Sequence, residues 1–338
     1  TVQSAIEWSH RMLTEPEQVA HRRIAVLPGP FTSSTAAAVL GEVEGDVDDL
    51  LTQLVHRSML SVHTARHHRG ATTFRQLATV RAHGHHALVD AGEEVQITHR
   101  RDAWTAALVA ARPRLGHPDE IHWFRTLDDG YATVRATLAR HLIDEPDVRG
   151  ARIATRLGTY WYYRARVLEG TRWLQLAHEV VQDGECAPVD AVSVRLALGA
   201  ALALQARIDL ARPHVEHALE YLPSAAPSHL VEIGEGLVRL ISSAFVPAAW
   251  MPSAVELIAV VHERLGQVVE DADDADLELV AAGVAFLPGE IQIGCHEEPV
   301  KHTVRCGTTG SAALRADRVV VLGAEPATVV ASHEIGRA

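Results

Sequence analysis

The periodicity of the chain changes from helical to alternating within residues 47–75, VDDLLTQLVHRSMLSVHTARHHRGATTFR. Residues 47–59 carry apolar side chains at helical spacing, namely Val47, Leu50, Leu51, Leu54 and Val55. Residues 60–63 and 72–75 instead alternate between apolar and polar side chains, and the basic segment Arg66 to Gly70 separates them. This pattern predicts a helix followed by a β-hairpin with a charged tip.

Helical segments flank this hairpin on both sides. Upstream, Thr14 is placed as an N-cap, with Pro16 in the first turn and Glu17 three residues after the cap. A short Ala-rich helix is predicted from Thr32 to Leu40. Downstream, a helix is predicted from Leu77 to about Ala91, ended by Gly92. Several helices and one hairpin in this span predict a winged-helix domain at residues 1–95.

From residue 97 onward, every periodic segment is helical, and the segments come in pairs with short connections. Two units carry the same spacing of small and apolar residues: Leu157, Gly158, Gly170, Leu174 and Ala177, and then Leu198, Gly199, Ala211, Val215, Ala218 and Pro223. Small residues at these places would let the second helix of each pair approach the first. We therefore expect a mostly α protein, in which residues 96–338 form an α-α superhelix of irregular tetratricopeptide-like hairpins.

Composition narrows the classes of function. The 338 residues carry a net charge of −12, which disfavours a dedicated nucleic-acid binder. Lys301 is the only lysine, and this bias toward arginine indicates a GC-rich genome such as that of an actinobacterium. Three cysteines are too few for a disulfide framework, and no apolar run is long enough for a membrane helix. We expect a cytoplasmic location without a membrane partner, and we expect a chain that opens at Thr1 to be cut from a longer protein.

The sequence offers no constellation for catalysis. It contains no Gly-x-Ser-x-Gly, no His-Glu-x-x-His and no phosphate-binding loop, which needs a lysine in a Gly-rich context. Two groups of side chains are possible metal ligands. The first is His83, His85 and His86, for which the alternative is a solvated helix face. The second is Cys295, His296, His302 and Cys306, for which the alternative is buried, inert cysteines. Neither has the ligand spacing of a structural zinc site. We therefore predict no enzyme activity and no metal in this chain.

Several separated stretches, in order, resemble one family. They are Ser4 to Ser9, Leu13 to Gln18, Arg22 to Thr32, Leu54 to Leu60, Phe74 to Ala82, Trp123 to Leu127 and Glu169 to Leu174. These stretches resemble the region after the nucleotide-binding core in large bacterial ATP-binding transcriptional regulators. Those proteins are signal-transduction ATPases with numerous domains (STAND), and the group includes LuxR-class and antibiotic-regulatory, SARP-like members. The resemblance covers residues 1 to about 223.

The resemblance implies a separate role for each domain of the parent protein. In that family an N-terminal ATPase binds ADP or ATP, the winged helix packs on the nucleotide, the repeats sense a ligand or partner, and a separate domain often binds DNA. It implies that the partner of this chain is the ATPase domain of the same parent protein, which would hold the ATP or ADP, with no cofactor in this chain. A Met-His-Asp triplet that contacts nucleotide in eukaryotic relatives matches Gln76, Leu77 and Ala78 here. Since none of its three residues is retained, we do not expect nucleotide sensing through it.

Two groups of residues are candidate binding sites. Tyr160, Trp161 and Tyr163, with Arg172 and Trp173, would form a ligand- or peptide-binding wall on the repeats; the alternative is packing between helix hairpins. Arg66, Arg69 and Arg75 would contact either a DNA backbone or another domain; the alternative is a solvated turn.

The resulting interpretation is a regulatory or sensor fragment of a STAND-type transcriptional regulator, which binds an effector or protein partner through its repeats and relays that state through the winged helix. DNA would be reached through a separate output domain. The alternative is a free-standing tetratricopeptide-like protein that binds a peptide or a small molecule.

Overall fold

A computed structural model describes residues 2–64, 72–113, 118–183 and 186–221. Residues 2–90 contain five α-helices, one 3₁₀ turn and one β-hairpin. In chain order they are α1 (Val2–Arg11), α2 (Glu15–Arg23), a 3₁₀ turn (Ile24–Val26), α3 (Ser33–Leu40), α4 (Val47–His56), β1 (Ser61–Thr64), β2 (Thr72–Arg75) and α5 (Ala78–Asp90).

The second half is entirely helical over the described residues. Its elements are α6 (Glu94–Ala110), α7 (Glu120–Ala139), a π-helical turn (Arg140–Asp144), α8 (Val148–Tyr163), α9 (Val167–Asp183), α10 (Pro188–Ala203) and α11 (Ile208–Tyr221). The predicted mostly α fold, with a winged helix followed by a helical array, is confirmed. No helix in the described ranges combines the length and apolarity needed to cross a membrane. The helices predicted after residue 222, and the group around Cys295 and Cys306, lie outside the described residues.

Side-chain caps start α2, α3 and α4 where the sequence places them. The Thr14 backbone N–H donates to Glu17 Oε2 over 2.8 Å, so the predicted start of α2 is confirmed. The Asp46 carboxylate accepts from the backbone N–H groups that open α4, at 2.9 and 3.1 Å. Gly92 follows α5 with a φ of 69°, a conformation that favours glycine.

The hairpin pairs β1 with β2 in antiparallel register, with Val62 opposite Phe74. Phe74 also forms a β-bridge with Phe31, and both aromatic rings are buried in the core of this half. The apolar stripe of α4 reaches the same core through Leu50, Leu51 and Leu54. The strands predicted from the alternating pattern are therefore confirmed, whereas the tip that carries Arg66 and Arg69 lies outside the described residues.

The buried apolar residues of the described ranges form two clusters, one in the winged helix and one in the helical array. The winged-helix cluster runs from Leu13 to Ile97, and the array cluster runs from Val109 to Ala218. Helix α6 belongs to both, because Ile97 lies in the first cluster and Val109 in the second. The predicted boundary between residues 95 and 96 thus falls inside a continuous helix.

Helices α8 to α11 form two hairpins with matching turns. In the turn between α8 and α9, Ala165 has a φ of 53° and the Arg166 N–H donates to the Trp161 carbonyl. In the turn between α10 and α11, Ala206 has a φ of 56° and the Arg207 N–H donates to the Leu202 carbonyl. Each group in the second turn lies 41 positions after its counterpart in the first, the same interval that separates Gly158 from Gly199. The helix pairing therefore repeats in backbone geometry as well as in sequence.

The two glycines of the first hairpin have different roles. A Cβ at Gly170 would lie 2.6 Å from the Trp161 ring, so α9 can approach α8 this closely only with glycine there. No described atom outside its own helix backbone and chain neighbours lies within 4 Å of a Cβ built at Gly158. The predicted steric role is confirmed for Gly170 and is wrong for Gly158, because Gly158 faces open space.

These two positions give a matched pair of substitutions. We expect Gly170→Ala to lower the free energy of unfolding by about 1–3 kcal/mol, since it overpacks the Trp161 ring. We expect Gly158→Ala to raise it by about 0.5–1 kcal/mol, because alanine loses less backbone entropy in a helix. Urea unfolding followed by circular dichroism measures both. Equal effects of the two substitutions would contradict the close approach at Gly170.

Candidate functional site

The helix that precedes the wing is acidic on its exposed side. In DNA-binding winged helices this element is the one that enters the major groove. Here the exposed residues of α4 are Asp48, Asp49, Thr52, Gln53 and His56. Asp48 also accepts a hydrogen bond from the Ser33 hydroxyl, which fixes the acidic end against α3. Two carboxylates at this place would repel DNA phosphates.

Of the three arginines predicted to contact DNA or another domain, the described residues include Arg75. It is exposed at the end of β2, where its backbone carbonyl accepts a 3.0 Å hydrogen bond from the Ser61 hydroxyl. Arg66 and Arg69 belong to the hairpin tip outside the described residues, so their grouping with Arg75 stays a prediction.

The triplet that matches the nucleotide-contacting motif of the family is arranged for packing. Gln76 is buried, and its Nε2 lies 3.1 Å from both the backbone carbonyl and Nδ1 of His21 on α2. Leu77 and Ala78 are exposed but carry no polar side-chain atom. The polar side chain of the triplet is thus turned toward α2.

A charged junction ties the winged helix to the start of the array. Glu93, in the turn between α5 and α6, accepts hydrogen bonds from Arg22 at 2.9 and 3.1 Å and from Arg23 at 3.0 and 3.2 Å. Arg23 also donates to the carbonyl of Leu40 at the end of α3. Hydrogen bonds from Arg23 and Arg22 lower the pKa of Glu93 to about 2. The junction therefore fixes the position at which α6 leaves the winged helix.

Removal of the Glu93 charge should destabilise the folded chain. We expect Glu93→Gln to lower the free energy of unfolding by about 1–3 kcal/mol, because two charge-assisted pairs are lost. Because the folded pKa is depressed, the advantage of the wild type should be complete above pH 4.5, the usual value, and should shrink as the pH falls toward 2. Urea unfolding at pH 7 and pH 3 measures this change. Glu94→Gln, at a half-exposed neighbour, is the control, and an equal loss there would contradict the junction.

A buried polar network continues from α6 into the array. The Asp102 carboxylate accepts hydrogen bonds from Arg101, Arg140 and Thr137, at 2.7 to 2.9 Å, and lies 3.2 Å from His141 Nε2. Burial raises the pKa of Asp102, but hydrogen bonds from His141 and Arg140 and the charge of Arg101 outweigh it, so the pKa lies well below its usual range. His141 Nδ1 in turn faces Asp147, the N-cap of α8, at 3.0 Å. One carboxylate on α6 thereby joins α7, the π-helical turn and α8.

The aromatic run of α8 is divided between the core and the surface. Tyr160 and Trp161 are fully buried: the Tyr160 hydroxyl donates to Asp128 over 3.0 Å, and the Trp161 indole N–H donates to the Tyr131 hydroxyl over 2.7 Å. The prediction that these two side chains line an open wall is corrected, because α8 turns both of them into the array core. The packing alternative describes their position.

The remaining members of the predicted wall are accessible. Tyr163 is 53% exposed and its ring packs against Phe124 of α7, with ring centroids 5.3 Å apart. Arg172 is exposed on α9, and Trp173 is partly buried against the array core. A contribution of these three residues to ligand binding stays a prediction.

The structure also regroups the histidines of α5. His85 and His86 are exposed, but His83 turns inward and meets two histidines from other helices, His10 and His21. The grouping of His83 with His85 and His86 is therefore wrong. No local signal could have found His10 and His21, since they lie 73 and 62 positions before His83 in the sequence.

The geometry of residues 13–97 defines a winged helix, and the comparisons agree. Residues 15–89 match the family described as "Winged helix-turn-helix domain". Over 176 residues the chain is 31% identical to proteins of Mycobacterium tuberculosis and Mycobacterium bovis that are both named "Putative HTH-type transcriptional regulator". Each alignment covers 51% of this chain and 20% of the relative. No solved structure matches the chain. The chain thus carries a winged helix-turn-helix domain and is similar, over about half its length, to part of these longer regulators.

Proposed function

We propose that this chain is the regulatory part of a cytoplasmic STAND-type transcriptional regulator, in which the helical array binds an effector or protein partner and the winged helix relays that state to an ATPase domain. ATP or ADP would be held by that ATPase domain, and DNA would be contacted by a separate output domain. In this role the chain itself needs no catalytic residue.

The observation that carries the proposal is the continuity of α6. This helix contributes Ile97 to the winged-helix core and Val109 to the array core. Glu93 fixes its first turn to α2, and Asp102 fixes its middle to α7 and α8. A rigid element that is anchored by charge at its first turn and in its middle would transmit a displacement of the array to the winged helix, as a relay requires.

The acidic face of α4 supports a protein partner for the winged helix. Asp48 and Asp49 are exposed where a DNA-binding winged helix would present basic or amide side chains to the groove. A domain that packs on another domain of the same protein has no such requirement. The similarity to longer proteins named as regulators supports the presence of a separate DNA-binding part.

The test uses the native protein in its own cells. An antibody raised against this chain should detect a band far above 36.7 kDa, the mass of the chain. The precipitated protein should release ADP or ATP on denaturation. In that parent protein, Glu93→Gln should change the rate of nucleotide turnover, whereas Glu94→Gln should not.

The opposite results separate the alternatives. A band at 36.7 kDa without nucleotide would favour the free-standing peptide- or small-molecule-binding protein, with Tyr163, Arg172 and Trp173 as its first residues to test. Tight binding of duplex DNA by the chain alone, measured by fluorescence anisotropy and weakened by Arg75→Ala, would instead make the winged helix a DNA reader.

A further inference from the structure

Three histidine rings from three helices meet on one side of the winged helix. His10 ends α1, His21 lies in α2 and His83 lies in α5. Their ring centroids are 4.8, 5.4 and 5.5 Å apart, and one ring nitrogen from each lies within 4.8 Å of the other two. We refer to them as the histidine cluster.

The spacing of the cluster fits a metal ion. Two nitrogens bound to one tetrahedral zinc, each at about 2.0–2.1 Å, lie about 3.3 Å from each other. His21 Nε2 and His83 Nδ1 are 3.3 Å apart. The ligand nitrogens of all three rings lie within 4.8 Å of one another, so His10 needs a movement of up to about 1.5 Å to reach the same spacing. A hydrogen bond between two imidazoles would explain two of these rings but gives no reason for the third.

The three rings lie in a sheltered position. His21 is fully buried, and His10 and His83 are partly buried. Gly84 allows α5 to approach α2 here, since a Cβ at this position would lie 3.0 Å from the His21 carbonyl oxygen.

Gln76 supplies a possible outer partner. Metal binding through His21 Nε2 places the proton on His21 Nδ1, which then needs an acceptor. The Gln76 amide is 3.1 Å from this Nδ1, and its buried Oε1 has no hydrogen-bond partner among the described residues. Nε2 of Gln76 now faces both Nδ1 and the backbone carbonyl of His21. Metal binding would require the amide to rotate so that Oε1 accepts from Nδ1, and to shift so that Oε1 does not crowd the carbonyl oxygen.

We propose that His10, His21 and His83 bind one divalent transition-metal ion, with zinc as the ion whose preferred ligands and geometry fit best. Imidazole also suits copper and nickel, so affinity alone does not set the identity of the ion. A tetrahedral zinc with these three protein ligands would hold a water molecule in its fourth position. The proposal does not depend on the proposed relay to an ATPase.

Such a metal would hold α1 on the winged helix. In α1, Ile6 is partly buried against the core, whereas Trp8 is largely exposed. Because α1 supplies one ligand and α2 and α5 supply the others, binding would fix its orientation.

The experiment begins with the whole chain, stripped of metal by a chelator and then dialysed against zinc or cobalt. We expect one tightly held equivalent of zinc, measured by elemental analysis after desalting, and the visible absorption of tetrahedral cobalt. His10→Ala and His83→Ala replace partly buried ligands and should leave the circular dichroism spectrum unchanged. Since loss of an outer partner already weakens metal binding about 10–100-fold, each variant should bind at least about 100-fold more weakly.

Two control variants exclude other histidines. His85→Ala removes an exposed neighbour on α5, and His214→Ala breaks the His178–His214 pair of the array, whose rings are 4.8 Å apart. Both should retain the tight equivalent. Absence of tight zinc in the wild type, equal affinity in His10→Ala and His83→Ala, or loss of binding in either control would overturn the site.

Trypsin tests the consequence for α1. Cleavage after the exposed Arg11 should slow when zinc is added to the wild type, and zinc should have no effect on it in His10→Ala. A cleavage rate that zinc leaves unchanged in the wild type would refute the anchoring of α1.

Discussion

Asp102→Ala should lower the free energy of unfolding by about 3–5 kcal/mol, the largest loss expected for any charged residue described in this chain. The substitution leaves the buried Arg101 guanidinium without the carboxylate that compensates it, and it removes one of the two carboxylate partners of the partly buried Arg140, which keeps Glu145. It also removes the group that faces His141 Nε2. Urea unfolding at pH 7, followed by circular dichroism, measures the loss.

The pH dependence of Asp102 gives a second readout. Since its folded pKa lies below the usual 3.8, its contribution to stability should be fully present above pH 3.8 and should decline below it. The gap between the wild type and Asp102→Asn should therefore narrow between pH 5 and pH 2. Asp144→Ala, at an exposed carboxylate in the neighbouring π-helical turn, is the control. A loss in Asp102→Ala no greater than in this control would show that the network contributes nothing to stability.

Trp161→Ala should cost about 3–5 kcal/mol as well, but through loss of packing. The indole is almost completely buried, packs on Gly170 and donates its N–H to the Tyr131 hydroxyl. Its removal leaves a cavity between α8 and α9 and a buried hydroxyl without its donor. The midpoint of urea unfolding, compared with that of the wild type, measures the effect.

The adjacent tyrosine is the matched control for this substitution. Tyr162 is 42% exposed, so Tyr162→Ala should change stability by less than about 1 kcal/mol. Trp161→Phe removes the hydrogen bond but keeps an aromatic ring in the core. Its loss of stability should therefore fall between the losses of Trp161→Ala and Tyr162→Ala. Equal losses at positions 161 and 162 would contradict the division of the aromatic run between core and surface.

Local sequence patterns were sufficient for the elements. The N-cap Thr14 with Glu17, the stripe of α4 and the alternation around Phe74 each act within a few residues, so the helix starts and strands follow from neighbouring side chains alone. The spacing that repeats after 41 positions likewise predicted the pairs α8–α9 and α10–α11, and Gly170 and Gly199 lie at their contacts, whereas Gly158 does not.

The candidate functional surfaces depend on contacts between residues that are distant in the sequence. Local sequence patterns predicted these contacts less well. A run of four aromatic residues on α8 cannot reveal which side faces the core, and only the packing of α7 and α9 turns Tyr160 and Trp161 inward. The junction at Glu93 requires arginines about 70 positions earlier.

By itself, the sequence determined the class of fold and the order of the described elements, since these depend on local periodicity. It also determined the absence of Gly-x-Ser-x-Gly, His-Glu-x-x-His and phosphate-binding-loop motifs, since these depend on residue types. Only the tertiary structure decided that α6 joins both cores, that Asp102 links four elements and that His10, His21 and His83 meet. The physical reason is that side chains on different helices are brought together by the burial of apolar faces elsewhere on those helices, and no spacing along the chain records which polar groups then become neighbours.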